Sequence, residues 1–404
     1  MGVAGEGREG EAMHAVRQIM ATHPPVRALI DATASSSTYL WELARADPAR
    51  LALLLKTDPD ERLADLRAAA ADIPADATDA EAMRLLRIMK AEAALLIALA
   101  DIGGVWDVMR VTAALTEVAD TAVAAALRHV LRQAARAGKL ALPEAADPEN
   151  GCGLFVIAMG KMGAFELNYS SDIDLIIFFE PGRTALAPGT EAGPLFVRLA
   201  RQLIRLLAQR TEHGYVFRVD VRLRPDPAST QIAMSVPAAL EYYEGRGQNW
   251  ERAALIKARV CAGDRAAGAA FIANLSPFIW RKYLDFVALS DIHEMKRQIH
   301  AYRGHSVVAV EGHNIKLGRG GIREIEFIAQ TLQLLNAGRI PFLQNPQTLP
   351  TLDKMVQYKL LPAAAAKKLA DAYRFLRDVE HRLQMENNLQ THTIPIERDR
   401  KSVV

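Results

Sequence analysis

Two cysteines in 404 residues leave no basis for a disulfide framework or a thiolate zinc cluster. Cys152 and Cys261 stand far apart and form no CxxC pair, so both are expected to be reduced thiols, as in a cytosolic protein. Long hydrophobic runs are also missing: nothing approaches the roughly 18 uninterrupted apolar residues of a membrane span. The first residues, MGVAGEGREGEAMHAV, carry no apolar signal core and lack the Ser or Thr that would complete a myristoylation signal after Gly2. Excess charge of one sign is absent too. With 49 Lys+Arg against 47 Asp+Glu the formal net charge is +2, which argues against general binding of nucleic acid through a basic surface. What remains is an ordinary globular composition, 50% apolar and 24% charged, long enough for two or three domains.

The hydrophobic period divides the chain into three. Residues 1–149 are rich in Ala, Leu and Arg. Glu81–Ala100 places Leu85, Ile88, Met89, Leu95, Leu96 and Leu99 at helical spacing, and Pro/Asp clusters at Thr57–Asp60 and Asp72–Asp79 punctuate the region. At Gly151 the period changes. Residues 150–265 predict strands at Leu154–Met159, Ile173–Phe179 and Val216–Leu223, with a helix from about Leu195 to Arg210 between the second and third. Residues 266–404 return to helical patterning around a glycine loop at Gly318–Gly321, and the closing KSVV suggests that this third region is cut short. The fold class expected is α+β and predominantly helical: a small mixed sheet with its helices, flanked by helical bundles.

Chemistry concentrates in GLFVIAMGKMGAFELNYSSDIDLIIFF, Gly153–Phe179. Alternation along the second strand turns Asp172 and Asp174 to one face while Ile173 and Leu175 point into a core. Two neighbouring carboxylates repel unless a cation lies between them, and an oxygen pair of this kind suits Mg²⁺ bridged to phosphates. On the third predicted strand Val219, Val221 and Leu223 share one face, and Arg218, Asp220, Arg222 and Arg224 the other. Three carboxylates, Asp172, Asp174 and Asp220, could hold two ions, with the arginines meeting phosphate oxygens. A solvated edge strand with surface salt bridges is the plainer alternative. The turn Gly160-Lys161-Met162-Gly163 could bring backbone N–H groups and Lys161 to phosphate, with Ser170 and Ser171 as further donors. That turn matches neither GxxxxGK[ST] nor GxGxxG, which disfavours a P-loop or dinucleotide fold.

Other candidates are weaker. Arg198, Arg201 and Arg205 form a helix stripe expected to face solvent. Arg252 and Lys257 of the WERAALIKAR segment could reach a nucleotide or pair within their helix. Lys316, Arg319 and Arg323 surround the glycine loop, which reads either as an anion site or as a helix cap. His293-Glu294 and His300 have the wrong spacing for HExxH and read as ordinary helix residues. Trp250, Trp280 and Tyr283 are expected in the core.

GKMGAFELNYSSDIDLIIFF followed by FRVDVRLRP resembles the nucleotidyltransferase core shared with DNA polymerase beta. Within that superfamily it is most similar to the glutamine synthetase adenylyltransferase/adenylyl-removing enzymes. NWERAALIKAR (Asn249–Arg259), HNIKLGRGGIREIEFIAQ (His313–Gln330) and FLRDVEHRLQMENNLQTHTIP (Phe375–Pro395) agree, so the resemblance spans roughly residues 150–395. Ala164-Phe165 and Val260-Cys261 depart from it without touching a carboxylate. Such proteins usually carry two of these domains in tandem, and the single copy here, with GGIREIEF, resembles the N-terminal, adenylyl-removing one.

The resemblance implies Asp172, Asp174 and Asp220 as ligands of Mg²⁺, two ions in all. It also implies a cytoplasmic enzyme in which inorganic phosphate attacks the AMP esterified to a tyrosine of glutamine synthetase, releasing ADP. Control by a PII-type signalling protein and by glutamine would accompany this, with neither nucleic acid nor membrane as partner. Protein adenylylation or uridylylation from ATP or another nucleoside triphosphate, and a regulatory docking fragment without activity, are the alternatives.

Overall fold

The sheet exists because two successive segments are apolar on both faces. In the computed structural model, which describes residues 3–71, 73–282, 310–386 and 388–396, β2 (Leu154–Ala158) and β3 (Ile173–Phe179) pair antiparallel from Leu154↔Phe179 to Ala158↔Leu175. On the far side of β2 runs β7 (Arg259–Gly263), also antiparallel, with a bulge at Val156/Ile157. Two short strands pair parallel with β3: β5 (Val219–Asp220) at its start and β6 (Ala233–Ser235) at its end. A separate two-stranded ladder joins β1 (Leu140–Ala141) to β4 (Ala185–Leu186). The fold is α+β, mostly helical, around a small mixed sheet.

Alternation along β2 and β3 divides the core. Leu154, Val156, Ala158, Ile173, Leu175, Ile177 and Phe179 join a cluster formed with helices Asp79–Ile102, Val108–Arg136 and Ala192–Ala208. Phe155, Ile157, Ile176 and Phe178 join another, against helices Val236–Gly245 and Arg265–Ile279. There Phe178 and Phe271 lie 4.5 Å apart between ring centroids, and Phe155 lies 5.7 Å from Phe271. The amino-terminal region is a set of helices from Val3 to Arg136. Its Pro/Asp punctuation works as capping: Asp58 accepts from the Asp60 N–H at 2.9 Å, and Thr78 from the Glu81 N–H at 3.2 Å. Among the described residues no helix is long and apolar enough to cross a membrane.

Three expectations need correction. The third strand does not run from Val216 to Leu223; only Val219–Asp220 is strand, because Asp220 Oδ1 accepts from the Arg222 N–H at 2.8 Å and starts a turn. Strand β7 follows the short helix Asn249–Leu255 and is missing from the three strands that the sequence predicts. Trp250 is 44% exposed rather than core, whereas Trp280 packs between two apolar clusters. Tyr283, His293, Glu294, His300 and the terminal KSVV lie outside the described residues.

Candidate active site

Asp172 and Asp174 share the face of β3 that further along carries buried Ile176 and Phe178, while Ile173 and Leu175 are fully buried on the opposite face. Parallel pairing of β3 with β5 sets Asp174 opposite Asp220. The GKMG turn crosses above: Gly160 has φ +54, and a Cβ there would fall 2.6 Å from Asp174 Oδ2. Glycine at 160 therefore keeps open the space in front of that carboxylate. Gly163 serves packing instead, since a Cβ would lie 1.9 Å from the Lys257 carbonyl oxygen.

The arginines divide by partner. Arg218 donates to Asp172 Oδ1 at 2.6 Å, to the Tyr215 hydroxyl at 2.9 Å and to the Ser170 carbonyl at 2.7 Å. Arg222, with its side chain 83% exposed, is paired with Asp220. Hydrogen bonding from Arg222 holds the Asp220 carboxyl below the usual carboxylate range. Arg224 points elsewhere and closes the turn through the carbonyls of Val221 at 2.8 Å and Pro227 at 2.7 Å. Among the described residues Asp174 has no bonded arginine of its own. Burial first, then the charges of Asp220 and Asp172, push it up to about 6.

The basic residues expected at phosphate are largely turned inward. Lys161 donates to buried Glu380 at 2.8 Å, and burial lowers its ammonium to about 8 against that attraction. Lys257, 7% exposed, pairs with Glu326 at 2.7 Å and lies 3.7 Å from Glu166. Arg252 is buried, its guanidinium 5.3 Å from the Phe278 ring. All three charges meet partners inside the protein, whereas the sequence suggested that they could reach a nucleotide or phosphate. Ser170 is buried, its N–H donating to Gln384 Oε1 at 3.0 Å and its hydroxyl to the Asn388 carbonyl at 2.9 Å; Ser171 is bonded to Asn168. Lys316 is half-buried, with its charge acting to lower Asp174, while Arg319 and Arg323 are exposed. The arginine stripe Arg198, Arg201 and Arg205 is exposed as expected, Arg205 pairing with Asp79.

A hard cation fits the donor set. Asp174 stands in register with Asp220, Asp172 adds its charge to the same carboxyl, and Gly160 leaves room before it, so the donors are hard oxygens. Among the described residues no group of three His, Cys, Asp or Glu side chains is close enough to form a finished metal site. Arg218 and Arg222 instead hold Asp172 and Asp220.

Comparison with known proteins places this arrangement in a family. The sequence model of the glutamate-ammonia ligase adenylyltransferase family matches residues 26–274. The chain belongs to that family. A model described as GlnD PII-uridylyltransferase matches residues 290–404. The bifunctional glutamine synthetase adenylyltransferase/adenylyl-removing enzyme of Bradyrhizobium diazoefficiens is 59% identical over 389 residues, covering 96% of this chain and 39% of that protein. Its counterpart in Xanthobacter autotrophicus is 55% identical over 380 residues, 94% of this chain and 38% of the relative. The chain thus spans under two-fifths of the length of these curated relatives.

Within this family member, helix Ala363–Met385 supplies residues that sequence reasoning passed over. Tyr373, Arg377, Glu380 and Gln384 are all fully buried and recur every three or four residues. Polar side chains at the spacing of an apolar stripe were the available signal. Arg377 Nε lies 3.1 Å from Glu380 Oε2, and its Nη2 donates to the Glu166 carbonyl at 2.7 Å. Glu166 in turn accepts from the Tyr373 hydroxyl at 3.0 Å and the Thr348 N–H at 2.7 Å. The segment departing at Phe165 is also accounted for: Phe165 has φ +58, and its ring lies 3.9 Å from the guanidinium of Arg259, which grips Asp120 at 2.8 and 2.9 Å.

Proposed function

We propose that this chain removes AMP from glutamine synthetase by phosphorolysis. An oxygen of inorganic phosphate attacks the α-phosphorus of an adenylyl group esterified to tyrosine. The phosphorus–phenolate bond breaks as the new phosphorus–oxygen bond forms, giving ADP and a tyrosinate that takes a proton from water. The observation carrying this reading is the convergence of Asp174 with Asp220 across β3 and β5, with Asp172 on the same face. The names of the similar proteins support the adenylyl-tyrosine chemistry.

Asp172, Asp174 and Asp220 would hold two Mg²⁺ ions, whose charge would stabilise the reacting phosphorus and the departing oxygen. Arg222, exposed and paired with Asp220, exchanges that partner for a phosphate oxygen. Arg218 keeps Asp172 in place. The Gly160–Gly163 turn, with Ser170 and Ser171 beneath, shapes the floor, and Lys316, Arg319 and Arg323 line the approach. Lys161, Lys257 and Arg252 support the site from behind. A phenol near pKa ~10 leaves readily, and phosphate is already anionic at neutral pH, so no histidine base is needed. In this scheme residues 150–265 form the catalytic unit between helical regions 1–149 and 266–404, in a cytoplasmic enzyme. The match of residues 290–404 supports a link to a PII-type signalling protein.

That same match favours a second reading, nucleotidyl transfer to a protein from ATP or UTP with the same carboxylates. Incubation with adenylylated glutamine synthetase and phosphate decides between them. ADP release is the expected result; its absence, with transfer of label from a nucleoside triphosphate, would overturn the first reading.

A further inference from the structure

Glu380 joins the GKMG turn to the glycine loop. Its Oε1 accepts from Lys161 Nζ at 2.8 Å and lies 3.1 Å from His392 Nδ1. The other imidazole nitrogen, Nε2, lies 3.5 Å from Lys316 Nζ. An ammonium only donates, so the Nε2 facing it offers its lone pair, which leaves the ring proton on Nδ1, the nitrogen beside the Glu380 carboxylate. The ring is held by backbone as well. Ile315 N–H donates to the His392 carbonyl at 2.8 Å, and Ile394 N–H to the His313 carbonyl at 3.0 Å. This pairing, with the bridge Asn314↔Thr393, lays the two segments side by side. Lys161 is spent on Glu380. Lys316 is half-buried and, among the described residues, its ammonium meets only His392.

We propose that Lys316 is the cation that receives the anionic phosphate reactant, and that His392, anchored by Glu380, is the positioning residue that aims it. The inference rests on the phosphoryl-transfer reading of the site. It explains why a segment remote in sequence reaches the aspartates: a free lysine must give up side-chain rotamer freedom before it can meet an anion, and the Glu380–His392 pair restrains it beforehand. The shared ligand chemistry is a phosphate dianion, free or as the terminal group of a nucleotide.

The test is a double-variant cycle on the full chain with Lys316→Gln, His392→Ala and both together. Binding of inorganic phosphate and, separately, of ADP is measured by calorimetry, and KM for phosphate is compared with kcat. Lys316→Gln should weaken phosphate binding about tenfold or more. His392→Ala should weaken it severalfold, raising KM with little change in kcat. The double variant should be no worse than Lys316→Gln alone, because the histidine acts through the lysine. Additive losses, or unchanged phosphate binding in Lys316→Gln, would overturn the proposal. If His392→Ala does not fold, as judged by its thermal midpoint, His392→Gln takes its place in the cycle. Loss confined to phosphate identifies the free ion as the ligand, and loss of ADP binding alongside it identifies a terminal nucleotide phosphate that uses the same lysine. Direct binding keeps the two readings separable. A wild-type protein that releases no ADP from adenylylated glutamine synthetase, yet binds phosphate through Lys316, defeats phosphorolysis and leaves the lysine's role standing. An active wild type with unaltered phosphate binding in Lys316→Gln defeats the lysine alone.

Discussion

Asp174 and Asp220 occupy the same register position on adjacent parallel strands, so two carboxylates face one way across an inter-strand spacing of roughly 4.8 Å. The fold accepts this cost, and Asp174 shows it by binding its proton up to about 6. A carboxyl whose folded pKa lies above its unfolded value contributes stability that is full below the unfolded pKa and is lost as pH rises through the folded one. Asp174→Asn should therefore stabilise the protein by on the order of 2 kcal/mol at about pH 7.5, a rise of a few degrees in Tm, and the gain should vanish toward pH ~4. Added Mg²⁺ should raise Tm of the wild type and not of the variant. A lower Tm for Asp174→Asn at neutral pH would mean that the three carboxylates do not repel one another.

Arg222 and Arg224 are two residues apart and should behave oppositely. The Arg222–Asp220 pair is exposed and screened by solvent, so Arg222→Gln should leave Tm unchanged while lowering activity. Arg224 bonds three carbonyls of its own turn, those of Val221, Pro227 and Thr230, so Arg224→Gln should unfold at lower urea concentration, by about 1–3 kcal/mol. Thermal and urea unfolding of both variants check the contrast.

The second strand was fully legible, Ile173–Phe179 in both sequence and structure, because apolar residues at a period of two suit a pleated strand and not a helix. Val219–Asp220 was overextended for the same reason: Val and Arg/Asp still alternate through Leu223, but an Asx-type turn at Asp220 ends the strand. The carboxylates could be read because acidic residues in a strand are costly and so informative. The lysines could not. Whether Lys161 or Lys257 faces phosphate or a buried carboxylate depends on Glu380 and Glu326, 219 and 69 residues away, and no local pattern carries that distance.

Both thiols are buried without a disulfide, and burial pushes Cys152 up to about 12 and Cys261 higher still. The thiolate is the reactive form, so neither cysteine should alkylate with iodoacetamide at about pH 8 in the native protein. Both should react on unfolding in guanidinium. Mass spectrometry of the native, treated protein checks this; rapid single labelling would show that one of them is accessible.

The Lys257–Glu326 pair carries the acid sensitivity of the support behind the site. Burial alone would raise Glu326, yet the Lys257 ammonium at 2.7 Å and its hydrogen bond hold it down to about 2. A depressed carboxyl contributes stability above its unfolded pKa of ~4.3 that is lost as pH falls through the folded value. Glu326→Gln removes one charge and leaves the other buried, with Glu166 at 3.7 Å as its remaining acidic neighbour. It should cost about 3–5 kcal/mol at neutral pH, and its unfolding free energy should then fall less steeply than that of the wild type between pH ~5 and ~2. Lys257→Met with Glu326→Leu should recover most of the loss, since an apolar pair of similar volume carries no desolvation penalty. Urea unfolding across that pH range separates the cases: a double variant as unstable as Glu326→Gln would show that the pair does more than satisfy itself, because Lys257 would then be needed by Glu166 as well.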